Sequence, residues 1–180
     1  GSCLAFLGRT REDAGWHTHL HSHIAAATPG NADRGVGTAL KLHQRAWALE
    51  HDIDRVVWTF DPLVRRNARL NLVKLGAVAV DYLVDFYGRM DDALNVGEPS
   101  DRLLAQWDVA SDRVAAALSG AAPAPARAEL VAEGAADALV VGDDGEPRVI
   151  PASARTTLVA LPGDIVDIRR RDGGLARAWR

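Results

Sequence analysis

Arg34-Gly35-Val36-Gly37-Thr38-Ala39-Leu40-Lys41 places two glycines at the mouth of an amphipathic segment. Glycines at a helix start leave main-chain N–H groups bare for an anion, which is how proteins hold a pyrophosphate. Before this stretch comes a strand-like run, Trp16-His17-Thr18-His19-Leu20-His21-Ser22-His23-Ile24, and after it a second, Arg55-Val56-Val57-Trp58-Thr59-Phe60. The order strand, glycine turn, helix, strand predicts a phosphate-bearing ligand beside a β-strand. The bland alternative is a tight turn with close helix-to-sheet packing. A P-loop is disfavoured because no Gly-Lys-Ser/Thr follows, and the dinucleotide fingerprint lacks its third glycine.

Outward from this motif, the elements alternate. Strands are expected at about Leu4–Leu7, about His17–Ala26, Arg55–Phe60, about Val78–Phe86 and about Arg102–Val109, with helices at about Val36–His51 and about Val64–Leu75. This pattern predicts a mixed α/β sheet. In the first helix Val36, Ala39, Leu40, His43 and Trp47 recur at steps of three or four and form the expected apolar face, with Lys41, Gln44 and Arg45 elsewhere. Gly120-Ala121-Ala122-Pro123-Ala124-Pro125-Ala126-Arg127 has no such stripe and reads as a semi-rigid linker. The expected domains are therefore residues 1–119, a linker over 120–128, and a small α+β appendage over 129–180. Within the appendage Asp143-Asp144-Gly145-Glu146 has the composition of a hairpin turn, and Asp164 is the expected cap of a helix.

With 180 residues, 48% of them hydrophobic, the chain can bury a proper core. No apolar run is long enough to span a bilayer and no signal peptide opens the sequence, so a cytoplasmic location without membrane attachment is expected. Cys3 is the one cysteine and cannot form an internal disulfide. The chain opens on Gly1-Ser2 and stops on Ala178-Trp179-Arg180 with an apolar pattern still running, which reads as a fragment. A net charge of −3 argues against nucleic acid as a partner. Between Arg34 and Lys74, however, eight basic residues face four acidic ones, a local excess suited to a polyanionic cofactor. Asp81, Asp85, Asp91, Asp92, Glu98 and Asp101 make the next segment acidic, suited to a cationic amine or to ordinary loop surface.

His17, His19, His21 and His23 alternate, so a strand projects all four from one face, with neighbours about 6.6 Å apart. Imidazole is the side chain whose ordinary pKa suits proton transfer near neutrality. Two imidazoles at i and i+2 can also share a zinc, with Asp61 or another carboxylate completing the set, although no Cys or His cluster elsewhere offers a third ligand and no metal is expected. Asp61, at the carboxyl edge of a strand, can orient a histidine, hold a substrate ammonium, or cap the helix that Pro62 begins.

Taken together, His21-Ser22-His23, Arg34-Gly35-Val36-Gly37, Trp58-Thr59-Phe60-Asp61-Pro62-Leu63, Asn67-Ala68, Leu75-Gly76-Ala77 and Asp101-Arg102 resemble the GNAT superfamily of acyl-CoA N-acyltransferases, over roughly Leu4 to Val109. More narrowly they resemble a poorly characterised GNAT-like family often encoded near enzymes similar to o-succinylbenzoate synthase or N-succinylamino acid racemase. The resemblance is to the central half of the fold. It implies acyl transfer, of acetyl or succinyl, from coenzyme A to the amine of a small molecule such as an amino acid. It implies acetyl-CoA or another acyl-CoA as co-substrate, held by Arg34, Gly35, Val36, Gly37 and Thr38, with Asn67 seating the pantetheine arm. His21, His23 and Asp61 are the candidate catalytic residues, and a homodimer is left open.

Two positions depart from the superfamily pattern. The leading basic residue of the turn falls at Ala32, so Arg34 must supply the charge. The tyrosine that commonly protonates the departing thiolate falls at Leu72. These departures favour the alternative of a GNAT-like binding module that has lost the chemistry.

Overall fold

Residues 1–28, 35–88, 100–121 and 124–180 are described by the computed structural model. Their order is β1 (Ser2–Glu12), β2 (Gly15–Ala26), α1 (Val36–Glu50), β3 (Arg55–Phe60), α2 (Arg65–Ala68), a π-helical turn (Arg69–Lys74), β4 (Val78–Leu83) and β5 (Arg102–Asp108). Then follow α3 (Asp112–Ser119), α4 (Arg127–Ala132), β6 (Ala136–Val141), β7 (Pro147–Val149), β8 (Thr157–Val159), α5 (Ile165–Arg171) and α6 (Gly173–Ala178). The class is mixed α/β, with a five-stranded sheet in the order β1-β2-β3-β5-β4 and a three-stranded sheet in the order β7-β6-β8. Chain contacts define two units: Gly1–Phe60, Arg69–Leu83 and Arg102–Ala122 form the first, and Asp61–Ala68, Val84–Asp101 and Pro123–Arg180 the second. The second unit thus draws on more than the chain after residue 128, and Arg127 and Ala128, within the expected linker, stand in α4.

In the first unit β1 and β2 make an antiparallel hairpin, and α1 carries the chain across to β3, which runs parallel to β2 as such a crossover requires. β3 has the alternation of a strand with one face on the core: Val56, Trp58 and Phe60 are buried and their neighbours only partly so. It pairs along its whole length with β5, whose Ala105 and Trp107 share that face. Trp107 donates its indole N–H to the Leu75 carbonyl at 2.7 Å and meets the Trp58 ring edge-on, with centroids 6.0 Å apart.

The helix expected over residues 64–75 is α-helical only over Arg65–Ala68. Its remainder is wound in π form, with the Leu75 N–H reaching the Leu70 carbonyl, five residues back, at 2.9 Å. Gly76 closes this turn at φ +72°, and a Cβ there would stand 2.8 Å from the Ala117 Cβ and 3.2 Å from the Arg113 carbonyl oxygen. Only glycine gives both the left-handed backbone and the close approach of α3.

The second unit has a core of Leu63, Ile165, Ala176 and Trp179. β6 and β7 form the expected hairpin across residues 142–146, and β8 joins β6 in parallel. Asp164 caps α5, accepting from the Val166 and Asp167 N–H groups.

Gly76→Ala is expected to lower stability by about 1–3 kcal/mol, through the combined cost of positive φ and overpacking against α3. Urea unfolding of the two proteins, compared at equal m-value, measures it.

Candidate functional site

β2 and β3 both continue past the residues that join them. Their parallel ladder comprises two register pairs, Leu20↔Val56 and His21↔Val57. Beyond these, β2 runs to Ala26 and β3 to Phe60, each held on its outer side by β1 and β5. The separation has a local cause. Ser22 pairs with Ala5 and Ile24 with Leu4, so His23 is an extra residue, a β-bulge, two positions past the last β2–β3 pair. A bulge bends its strand and adds twist. The result is a notch at the carboxyl ends of two parallel strands, the place where open α/β sheets bind ligands.

α1 begins beside the end of β2 in the chain. Gly35 is its N-cap at φ +76°, and no side chain caps it. The first bond of the helix runs from the Ala39 N–H to the Gly35 carbonyl, and the N–H groups of Val36, Gly37 and Thr38 have no partner among the described residues. The first turn carries no acidic residue that would compete for them. Arg34 and Ala32 lie outside the described residues, as do Asp91, Asp92 and Glu98.

The histidine row stands on the face of β2 opposite Leu20 and Ser22. His17 Nε2 lies 3.1 Å from the Asp54 carboxylate. His19 lies over Gly8, with Thr10 Oγ1 at 3.4 Å from its Nδ1. His21 and His23 are neighbours at 6.0 Å between ring centroids, and His23 also meets Phe6 at 5.5 Å. Burial, reinforced by the charges of His23, His19 and Lys41, pushes the His21 pKa down, leaving a neutral, proton-accepting imidazole at neutral pH. Among the described residues no three His, Cys, Asp or Glu side chains gather as a metal-ligating group, so the zinc alternative has no ligand set there.

The expected apolar face of α1 is rotated in the structure. Ala39, His43 and Trp47 are exposed, whereas Lys41, Gln44 and Ala48 are the buried residues. Two of these are polar and joined by a hydrogen bond: Lys41 Nζ donates to Gln44 Oε1 at 3.2 Å and to Ser22 Oγ at 2.8 Å. The same amine lies 3.7 Å from the centre of the Trp58 ring. Ser22 belongs to β2 and Trp58 to β3, so Lys41 spans the two strands on the helix side, directly at their divergence. Burial pushes this lysine down to about 7, against a smaller opposing effect of Cys3. The displaced apolar residues do other work: His43 and Trp47, with Cys3, Ala5, Leu20 and Gln44, line a cavity of about 210 Å³. Sequence reasoning missed Ser22, Lys41 and Gln44 because a buried lysine is scored as a surface residue; the signal available was the small polar Ser22 among histidines, facing inward.

In the second unit, Asp61 accepts from Arg169 at 2.7 Å, from Arg180 at 2.9 Å and from the Leu63 N–H at 2.9 Å. Burial alone would raise its pKa, but the Arg169 hydrogen bond, Arg180 and the Leu63 N–H outweigh burial and hold it below the ordinary carboxylate range. Both its oxygens are engaged, which is the geometry of a cap and ion-pair centre rather than of a proton acceptor. Asn67 stands half-buried in α2 of the same unit.

No protein-family model matches the chain, and no curated protein matches it. In backbone it is similar to the Chaetomium thermophilum Naa20 in complex with a bisubstrate analogue, at 16% identity and TM-score 0.49, over 62% of this chain and 63% of that one. It is also similar to Arabidopsis thaliana NAA60 in complex with a bisubstrate analogue, at 16% identity and TM-score 0.47, over 57% and 61% of the two chains. A mosquito arylalkylamine N-acetyltransferase like 5b aligns at 18% identity and TM-score 0.38, over 49% and 42%. The aligned part thus spans less than two thirds of each. Among the described residues no helix is long and apolar enough to cross a membrane.

Two outcomes are expected. Because the Lys41 pKa is lower folded than unfolded, the unfolded chain binds more protons between pH 7 and about 10. The stability penalty is therefore full below pH 7 and relieved as pH rises, by up to about 1.4 kcal/mol per pH unit. Lys41→Met should remove that slope in urea unfolding across this range. Asp61→Ala removes the carboxylate that Arg169 and Arg180 share, together with the acceptor of the Leu63 N–H, and should cost about 1–3 kcal/mol in the same assay.

Proposed function

We propose that the chain is an acyl-CoA-dependent N-acyltransferase of GNAT type that moves an acetyl or succinyl group to the amine of a small molecule such as an amino acid. The observation that carries this reading is the notch between β2 and β3, opening within one unit beside a helix start with bare amides. The diverging main chains suit an extended, amide-bearing arm, which can bond to strand edges as an added strand would. The uncapped N–H groups of Val36, Gly37 and Thr38, with Gly35 and the charge of Arg34, suit a diphosphate. A pantetheine arm joined to a diphosphate has both features.

In this reading His21, neutral and half-buried on the opposite face of β2, takes the proton of the attacking amine, with His23 beside it as the alternative base. The amine nitrogen forms a bond to the thioester carbonyl carbon, the C–S bond breaks, and the thiolate leaves. Asn67 belongs to the second unit and is left out of this site. Asp61 enters as the anchor of its own ion-pair network rather than as a base. The narrower assignment, to the family found near o-succinylbenzoate synthase, rests on the quoted motifs and points to succinyl transfer onto amino acids. Leu72 in the tyrosine position favours a second reading, a module that binds acyl-CoA without turnover.

Coenzyme A should raise the Tm, and amino acids added with acyl-CoA should release free thiol; protection without thiol release supports the binding module. Gly35→Trp places a side chain where a Cβ meets nothing within 4 Å among the described residues, at the cost of the strain of positive φ. That variant should lose affinity for coenzyme A tenfold or more in calorimetric titration, and unchanged affinity rejects the placement of the diphosphate.

A further inference from the structure

The bulge at His23 also changes what β2 shows on the face away from α1. Across it Ser22 pairs with Ala5 and Ile24 with Leu4, so His21, His23 and Ile24 come to one face of β2. Leu4 and Phe6 of β1 share that face, because Leu4 pairs with Ile24 and Phe6 with His21. Phe6 meets the His23 ring at 5.5 Å, and His23 meets His21 at 6.0 Å. α1 packs on the other face, where Lys41 holds Ser22 and Trp58. Leu4, Phe6 and Ile24 are 47%, 50% and 51% exposed, three large apolar side chains adjoining the two imidazoles. They are confined to the notch end of the hairpin: further along the same face β1 carries Gly8 and Thr10, opposite His19 and His17. A half-exposed strand position needs no large apolar side chain, and a contiguous group of them marks a binding surface.

We propose that Leu4, Phe6 and Ile24 form the subsite for the acceptor's side chain, so that the preferred amine carries an apolar group on the carbon bearing the nitrogen, as leucine and phenylalanine do; this rests on the acyl-CoA reading above. The patch is continuous with the candidate site, since Phe6 packs on His23 and His23 on His21. The reaction stays the direct attack already given, in which the nitrogen bonds to the thioester carbonyl carbon, the C–S bond breaks and an imidazole takes the amine's proton. An amine within reach of His21 or His23 stands over the end of β2, with β1 on one side and β3 on the other. Toward β3 its side chain meets Val57 and Thr59, which lie opposite the buried Val56, Trp58 and Phe60. Toward β1 it meets Phe6, Leu4 and Ile24, the larger apolar area, and release of water from both surfaces favours that placement. These three side chains offer no donor or acceptor, so a polar side chain laid on them gives up its water without replacement. A contact to a substituent that does not react is made before and during the chemical step, so its loss acts mainly on KM.

The test measures thiol release from acetyl-CoA by the full chain with leucine and with asparagine, acceptors of similar size and opposite polarity. Leucine is expected to exceed asparagine in kcat/KM by about tenfold or more. Phe6→Thr and Ile24→Thr keep a strand-favouring residue at half-exposed positions, and each should lower that ratio about three- to tenfold, mainly by raising the KM for leucine. Coenzyme A should still raise the Tm of both variants. Phe6→Leu should retain most of the ratio, since it keeps the apolar area. A merely structural role would lower both acceptors together and leave their ratio in place. Equal kcat/KM for leucine and asparagine overturns the proposal while the acyltransferase reading stands, as does a ratio that survives both threonine variants. Thiol release with neither acceptor, in a chain that coenzyme A protects against heat, points to the binding module and overturns this inference together with the enzyme reading.

Discussion

The interruption of the β2–β3 ladder after two pairs is the constraint on which the rest of the first unit depends. Parallel strands ordinarily satisfy each other's main chains along their shared length. Here the extra residue at His23 interrupts the register of β2, while β3 stays paired with β5 through six consecutive residues. Each diverging strand keeps a paired outer edge, β2 on β1 apart from His23 and β3 on β5. The notch is therefore set by backbone pairing on its outer sides.

That opening decides what lies beneath it. A sheet with a gap cannot be sealed by the usual short apolar residues, because polar main-chain groups face the space. The long stem of Lys41 crosses from α1 to the gap, and its amine finds Ser22 on one strand and the Trp58 ring on the other. Trp58 in turn is fixed by Trp107, whose N–H is tied to the Leu75 carbonyl at the end of the π-helical turn. The floor of the notch thus rests on a chain of buried aromatic contacts and hydrogen bonds, the kind of support that holds a site to its geometry.

Much of this was legible in the residues. β3 was bounded correctly because its alternation of buried and partly buried side chains is the period of a half-buried strand. The hairpin across 142–146 and the Asp164 cap were legible for equally local reasons, turn composition and a side-chain acceptor at a helix start. Other signals were present but unused. Ser111 accepts from the Val114 N–H and Gly120 ends the helix at φ +75°, so α3 carried both of its punctuation marks. β1 is longer than its apolar run because Gly8 to Glu12 are held by register with β2 rather than by hydrophobicity.

By itself the sequence determined the alternation of strands and helices, the glycine start of α1 and the one-sided histidine row, because each follows from local backbone preference or from a period of two or 3.6 residues. Tertiary structure alone decided the bulge at His23, the rotation of α1 that buries Lys41 and Gln44 and exposes Trp47, and the capture of Asp61 by Arg169 and Arg180. These last depend on partners far apart in the chain, whose charge and hydrogen bonding override hydrophobic rank. A lysine is buried when a serine, an amide oxygen and an indole face are brought together to receive it, and no periodicity along one helix records where those partners will be.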